Sequence, residues 1–275
     1  MHSPSFPLWS CVQAVRQTSP LVHSITNLVV MHTTANALLA FGASPVMAHA
    51  PEEMKEMASI ANALVLNIGT LTLPWVASMH IALATARARG IPVVLDPVGA
   101  GASNLRTITA IELMAAAAGA TLIVRGNASE ILTISGEPVT PKGVDSTAAS
   151  SEATAAAIAL AQEYGCTVCV SGETDVVTDG TDMAILTGGH ELMTRVTGLG
   201  CAATALIGAV AGACPRENPL VSVAAAMAVM STAGTMAFGA SVGPGSFFPA
   251  FLDALYLMKE EDLGLVSLRL EDVPC

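Results

Sequence analysis

The sequence predicts an α/β fold with a mostly parallel central sheet covered by helices on both faces. Short apolar runs alternate with Ala-rich helical windows almost to the C-terminus. Few polar residues interrupt the runs, the signature of strands buried on both faces. The early helical windows each close at a glycine, a common helix stop.

In chain order the strand candidates are "PLVHSI" from Pro20, "SPVMA" from Ser44, "ALVLNIG" from Ala63 and "IPVVLDPVG" from Ile91. "TLIVRGN" from Thr121, "TVCVSG" from Thr167, "VVTDG" from Val176 and "MAILTGG" from Met183 follow. Between the earlier ones lie the helical windows "TTANALLAFG", "LPWVASMHIALATARARG" and "SEATAAAIALAQEYG". From Gly200 onward the pattern reads as helical, through 202–213, 220–237 and 246–259. No Pro/Gly/Ser-rich linker, charge block or repeat divides the chain, so residues 1–275 read as one domain.

Composition removes several function classes. Eleven Lys plus Arg stand against 22 Asp plus Glu, a formal charge of -11, which leaves no basic face for a nucleic-acid backbone. The six cysteines are thinly spread through a 275-residue chain that has no need of disulfide stapling, so they read as reduced and the protein as cytoplasmic. The N-terminal "MHSPSFPLWSCVQAV" lacks the pattern of a signal peptide. Mean hydropathy is +0.61, and residues 220–243 carry no charge over a length that could span a bilayer. That run is mostly Ala, Gly, Ser, Thr and Met without cationic or aromatic flanks, so it reads as a tightly packed soluble helix and not as a membrane span.

In open α/β sheets ligands collect beyond the carboxyl ends of the strands. Four strand ends carry polar groups there. "DPVGAG" brings Asp96 with Gly99 and Gly101, and "RGNASEI" brings Arg125, Asn127 and Glu130. "SGETD" follows "TVCV", and "TGLGC" supplies Gly198, Gly200 and Cys201. Two acids and an arginine at strand ends suit a magnesium-bound polyphosphate. "RGNASEI" equally suits an N-capped helix, with Asn127 or Ser129 as cap and Glu130 in the helix-dipole field. Glycines at a helix start bare its N–H groups to anions, and that field is expected to lower the Cys201 thiol pKa; the same glycines also make an ordinary turn into a packed helix.

Other candidates are weaker. Cys166 and Cys169 of "CTVC" fall in a predicted strand, where odd spacing sends them to opposite faces. His23, His32, His49, His80 and His190 are scattered and form no HExxH motif. Met227, Met230 and Met236 read as core.

"VHSITNLVV", "GASPVMA", "VVLDPVGAG", "RGNASEI", "VTGLGC" and "GPGSFFPAFLDAL", in this order from about Pro20 to Leu255, resemble the hydroxyethylthiazole kinases, thiamine-salvage members of the ribokinase-like superfamily. The resemblance implies ATP-dependent phosphorylation of the primary alcohol of 4-methyl-5-(2-hydroxyethyl)thiazole, with Mg2+, on a homotrimer whose sites lie at subunit interfaces. It places Met47, Asn27 and Gly198 at the thiazole, and Arg125, Ser171 and Asn127 at ATP. Asp96 and Glu130 would hold magnesium, mainly through water. Cys201 occupies the place where most ribokinase-like enzymes carry aspartate, as proton acceptor or as a group that orients the hydroxyl, beside the amides of Gly198 and Gly200. Leu199 departs from the small hydroxylated residue usual between those glycines. The alternatives are another ribokinase-like small-alcohol kinase, such as a hydroxymethylpyrimidine kinase, a cysteine-nucleophile hydrolase, and a non-catalytic thiazole binder.

Overall fold

In the computed structural model, which describes residues 7–136 and 146–273, eight strands overlap the eight predicted runs and a ninth lies outside them. β1 (Leu21–Ile25), β2 (Ser44–Val46), β3 (Ala63–Asn67), β4 (Val93–Asp96), β5 (Leu122–Asn127) and β6 (Thr167–Ser171) pair in parallel. β7 (Thr174–Thr178), β8 (Asp182–Thr187) and β9 (Ser267–Asp272) continue the sheet antiparallel. The order is β2-β1-β3-β4-β5-β6-β7-β8-β9. β1 therefore has β2 on one side and β3 on the other, a reversal of winding that leaves a crevice at the strand ends.

Helices cover both faces, as expected. α1 (Leu8–Thr18) and α2 (Met31–Phe41) lie on one face. α3 (Met54–Ile60), α4 (Leu73–Arg89), α5 (Asn104–Ala116), α6 (Ala128–Ile134) and α7 (Ser146–Tyr164) lie on the other. α8 (Leu199–Ala213), α9 (Pro219–Ala240) and α10 (Pro244–Leu257) return to the first. Successive strand residues alternate between these two cores. Val65, Val94, Ile123 and Cys169 enter the core under α8, whereas Leu64, Leu66, Leu95, Val124 and Val168 enter the opposite one.

The small residues of α8 allow it to sit directly on the sheet. A Cβ on Gly208 would stand 2.7 Å from Val65 Cγ2, so the helix axis approaches as closely as a backbone can. α9 is long and apolar enough to cross a bilayer, yet 83% of its most apolar window is buried inside the protein. It is a core helix here.

One expectation needs correcting. The C-terminal region is not helical throughout, because β9 pairs with β8 from Ser267 to Asp272. Its mostly exposed residues leave no apolar run to announce it. The sheet is mostly parallel, as expected, with an antiparallel edge made by the β7–β8 hairpin and β9. Cys11, Cys166, Cys169, Cys201 and Cys214 are free thiols; Cys275 lies outside the described residues.

Candidate active site

The alternation that buries Val65, Val94, Ile123 and Cys169 under α8 places Asn67, Asp96, Arg125 and Ser171 on that same face, two residues further along each strand. Register sets Asn67 opposite Asp96 and Arg125 opposite Cys169, so Ser171 stands one step of the same face beyond Arg125 on the neighbouring strand. Facing them is the amino terminus of α8. Gly198 makes the turn with φ 91, a left-handed conformation natural to glycine, and it caps the helix without a side-chain bond. Gly200 leaves room for a guanidinium: a Cβ there would stand 2.9 Å from Arg125 Nη1.

A chain of hydrogen bonds crosses the site. Asn27, just after β1, donates from Nδ2 to Asn67 Oδ1 at 2.8 Å and lies 3.6 Å from Cys201 Sγ. Asn67 donates to Asp96 Oδ2 at 2.8 Å, and Thr204 Oγ1 donates to the same oxygen at 2.8 Å. Asp96 Oδ1 is buried with no partner. Burial pushes the Asp96 pKa up to about 6, against the pull of Arg125 and its hydrogen bonds.

The Cys201 thiol does not follow the sequence expectation. Its pKa is pushed up to about 11, first by burial and then by Asp96; the amides of Asn67 and Asn27 and the charge of Arg125 only partly offset this. A helix terminus lowers a thiol pKa when the sulfur is solvated. Here desolvation and a neighbouring carboxylate win.

Arg125 is half-buried. Burial works against its charge, but Asp96, Cys169, Asp175 and Glu130 outweigh it and raise its pKa. Its Nη2 donates to Ser171 Oγ at 2.6 Å. From this pair a cavity of about 870 Å³ opens between β8 and α9, lined also by Gly200, Asp175, His190 and Met227. That volume suits a nucleotide-sized ligand. His190 stacks on Phe238 with ring centroids 3.4 Å apart, and Met227 and Met230 belong to the core while forming part of the cavity wall.

"RGNASEI" adopts the capped-helix form. Asn127 caps α6, its side-chain oxygen accepting from Glu130 N, and Glu130 Oε2 in turn accepts from Asn127 N. Glu130 Oε1 accepts from Gly99 N at 2.8 Å, so the acid ties this helix to the "DPVGAG" loop. No group of three or more His, Cys, Asp or Glu side chains able to hold a metal occurs among the described residues. The donors still fit magnesium, which is bound through one or two carboxylates plus phosphates and water. Asp96 offers a bare oxygen, and Glu130, already bonded to two amides, is suited to hold only the outer waters.

Met47 follows β2, is half-buried and packs against the α8-face core. The strand ends and the amino terminus of α8 thus bring together Asn27, Asp96, Arg125, Ser171, Gly198, Gly200 and Cys201; "TGLGC" is a helix start and not the strand end expected, since a short 3-10 segment over Glu191–Arg195 separates it from β8. Asn127 ends β5 and caps α6, with its side-chain oxygen engaged in that cap. Sequence reading missed Asn67 and Thr204, held Asp175 only as part of "SGETD", and set His190 aside as a scattered histidine. Asn67 did carry a signal, a polar residue ending the apolar run "ALVLN", the same signal that marked Asp96. Thr204 inside an Ala-rich helix carried none. Cys166 and Cys169 do enter opposite cores, as their spacing predicts.

The sequence matches the Hydroxyethylthiazole kinase family over residues 12–261. It is 55% identical to the hydroxyethylthiazole kinase of Nitratidesulfovibrio vulgaris (strain DSM 19637 / Miyazaki F) across 93% of this chain and 94% of that one. The fold superposes on a hydroxyethylthiazole kinase protein from Pyrococcus horikoshii OT3 with TM-score 0.86 at 40% identity, covering 97% of this chain and 99% of the other. A pyridoxal kinase from Staphylococcus aureus, in complex with AMP-PCP and pyridoxal, shares the fold at TM-score 0.64 and 15% identity, over 92% and 99% of the two chains.

Proposed function

The chain belongs to the hydroxyethylthiazole kinase family, and on that premise we propose that it transfers the γ-phosphoryl group of ATP to the primary alcohol of 4-methyl-5-(2-hydroxyethyl)thiazole, forming the monophosphate. One observation carries the reading. Cys201 and Gly200 are neighbours at the start of α8, the first within 3.6 Å of Asn27 Nδ2 and the second abutting Arg125. The groups assigned to the alcohol and to the nucleotide therefore meet at one helix terminus.

Met47, Asn27 and Gly198 bound the thiazole, a neutral ring whose burial favours an apolar wall. Arg125, Ser171 and Asn127 face the nucleotide. Phosphoryl transfer runs through a loose transition state, so positioning and countercharge matter more than covalent help. The amides of Gly198, Gly200 and Cys201 supply donors to the charge that develops on the transferring group. Cys201 keeps its proton at neutral pH and orients the attacking hydroxyl through Sγ; the hydroxyl's own proton passes to an oxygen of the transferring phosphoryl group as the new O–P bond forms and ADP leaves. Magnesium, when bound beside Asp96 and Glu130, neutralises phosphate charge. The side chains bonded to Cys201 are asparagines, which supports the kinase over a hydrolase that would require a base beside its nucleophile.

The family resemblance supports a cytoplasmic homotrimer with sites at subunit interfaces, and sedimentation of the purified protein tests the assembly. The reaction is tested by product analysis with ATP, Mg2+ and a panel of thiazole and pyrimidine alcohols. Turnover of the thiazole alcohol is expected, with hydroxymethylpyrimidine at least about a hundredfold poorer in kcat/KM, a discrimination of ~2.7 kcal/mol. Preference for the pyrimidine would overturn the assignment.

A further inference from the structure

We propose that Thr204 and Asn67 are positioning residues for the transfer: together they hold Asp96 by one oxygen, so that its second oxygen is left uncommitted for magnesium. The inference rests on the kinase reading of this site. Both donors reach Oδ2, each at 2.8 Å, and Oδ1 has no partner. A carboxylate can present either oxygen by turning about its last bond, and two donors on one oxygen remove that freedom.

The two donors arrive from different elements. Asn67 ends β3, and its own amide is oriented from behind: Oδ1 accepts from Asn27 Nδ2 at 2.8 Å and from Gly69 N at 3.1 Å. With the oxygen so occupied, Nδ2 is the end that faces Asp96. Thr204 comes from α8, where it follows Cys201 by three residues and so lies on the same helix face about one turn further in. It is 0% exposed, leaving no solvent to replace its hydroxyl. One helix thus fixes the thiol on the alcohol side and the acid on the phosphate side, and their separation is set by helix geometry. Neither Thr204 nor Asn67 is placed against the substrate, which distinguishes them from the catalytic groups.

The test compares Thr204→Val, which keeps the shape and loses the hydroxyl, with Thr204→Ser, which keeps the hydroxyl. Thr204→Val is expected to lower kcat at least about tenfold while KM for the thiazole alcohol stays within about twofold, and Thr204→Ser to restore kcat to within about threefold of wild type. A second measurement needs no acceptor. The ratio of ATP affinities with and without Mg2+, measured calorimetrically, should fall at least about fivefold in Thr204→Val while metal-free ATP binds as before. Asn67→Ser, which shortens the donor from the β3 side, is expected to reproduce the fall in the Mg2+ gain and serves for that measurement if Thr204→Val does not fold; its kinetics do not enter the comparison, because Asn67 also bonds Asn27 and Cys201. Equal Mg2+ gains in wild type and variants, or a loss in Thr204→Ser as large as in Thr204→Val, would overturn the proposal. If the wild type binds MgATP but does not phosphorylate the thiazole, the substrate reading fails and the affinity ratio alone decides the positioning role.

Discussion

A methyl group on Gly200 would stand 2.9 Å from Nη1 of Arg125, and the guanidinium is tied on its other side to Ser171 Oγ at 2.6 Å. The arginine is therefore clamped between a strand and the start of α8, and the glycine is the space that admits it. Gly200→Ala is expected to displace the guanidinium and raise KM for ATP or lower kcat by about tenfold, ~1.4 kcal/mol. Arg125→Ala should cost at least as much. The double variant should resemble Arg125→Ala alone, since the glycine then has nothing to accommodate. Steady-state kinetics of the three variants checks this, and additive losses would mean that Gly200 serves another purpose.

The sheet was legible because its strands are apolar runs bounded by turn residues, and most of the site was legible because a polar residue ending such a run is conspicuous. Asp96, Arg125 and Ser171 were found that way, and Asn67 ends its strand on the same pattern. Thr204 was not legible: threonine is ordinary in a small-residue helix, and only the docking of α8 on β4 brings it to Asp96. β9 escaped because its residues are mostly exposed and half of them are charged, so pairing with β8 and not burial makes it a strand. The thiol's raised pKa escaped for a related reason. A helix start can be read locally, whereas the burial of Cys201 and the nearness of Asp96 are products of tertiary packing.

Met47 leaves the edge strand β2 half-buried against the same core that α8 packs on. A carboxylate there would face an apolar ring and lose solvation without gaining a partner. Met47→Asp is expected to raise KM for the thiazole alcohol more than about tenfold and to change nucleotide affinity less than about twofold. Kinetics with each substrate varied in turn measures the split. Equal losses for both substrates would remove Met47 from the thiazole pocket.

Asp175 is buried on β7, accepts from Gly172 N at 3.0 Å and has its pKa pushed up to about 6 by burial, against that hydrogen bond and Arg125. A folded-state pKa above the ordinary value of 3.8 means that the native protein holds the proton more tightly than the unfolded chain. Its contribution is then fully present below about pH 4 and is lost as pH rises through about 6, a change of roughly 3 kcal/mol at most. Asp175→Asn removes this term. Urea unfolding from pH 4 to 7 should show the variant gaining stability relative to wild type as pH rises. A difference that does not vary with pH would show that Asp175 does not titrate in this window.

Cys201 and Cys214 should respond to alkylation in the reverse of the order that the helix terminus alone suggests. With its pKa pushed up to about 11, Cys201 is thiolate to roughly one part in a thousand at pH 8. Cys214 is partly exposed, and a hydrogen bond from Cys11 lowers its pKa. Peptide mass spectrometry after brief iodoacetamide treatment should therefore find Cys214 modified first, and the thiazole alcohol should slow Cys201 further without affecting Cys214. The same chemistry fixes the rate profile. A thiol that orients the hydroxyl predicts kcat nearly flat from pH 7 to 9, whereas a thiolate base would raise it about tenfold per pH unit until ionised. Cys201→Asp should keep transfer to within about tenfold by accepting the same hydroxyl, and Cys201→Ala should lose roughly 10²-fold or more. A tenfold climb per pH unit in the wild type, abolished in Cys201→Asp, would instead make the thiolate the working base.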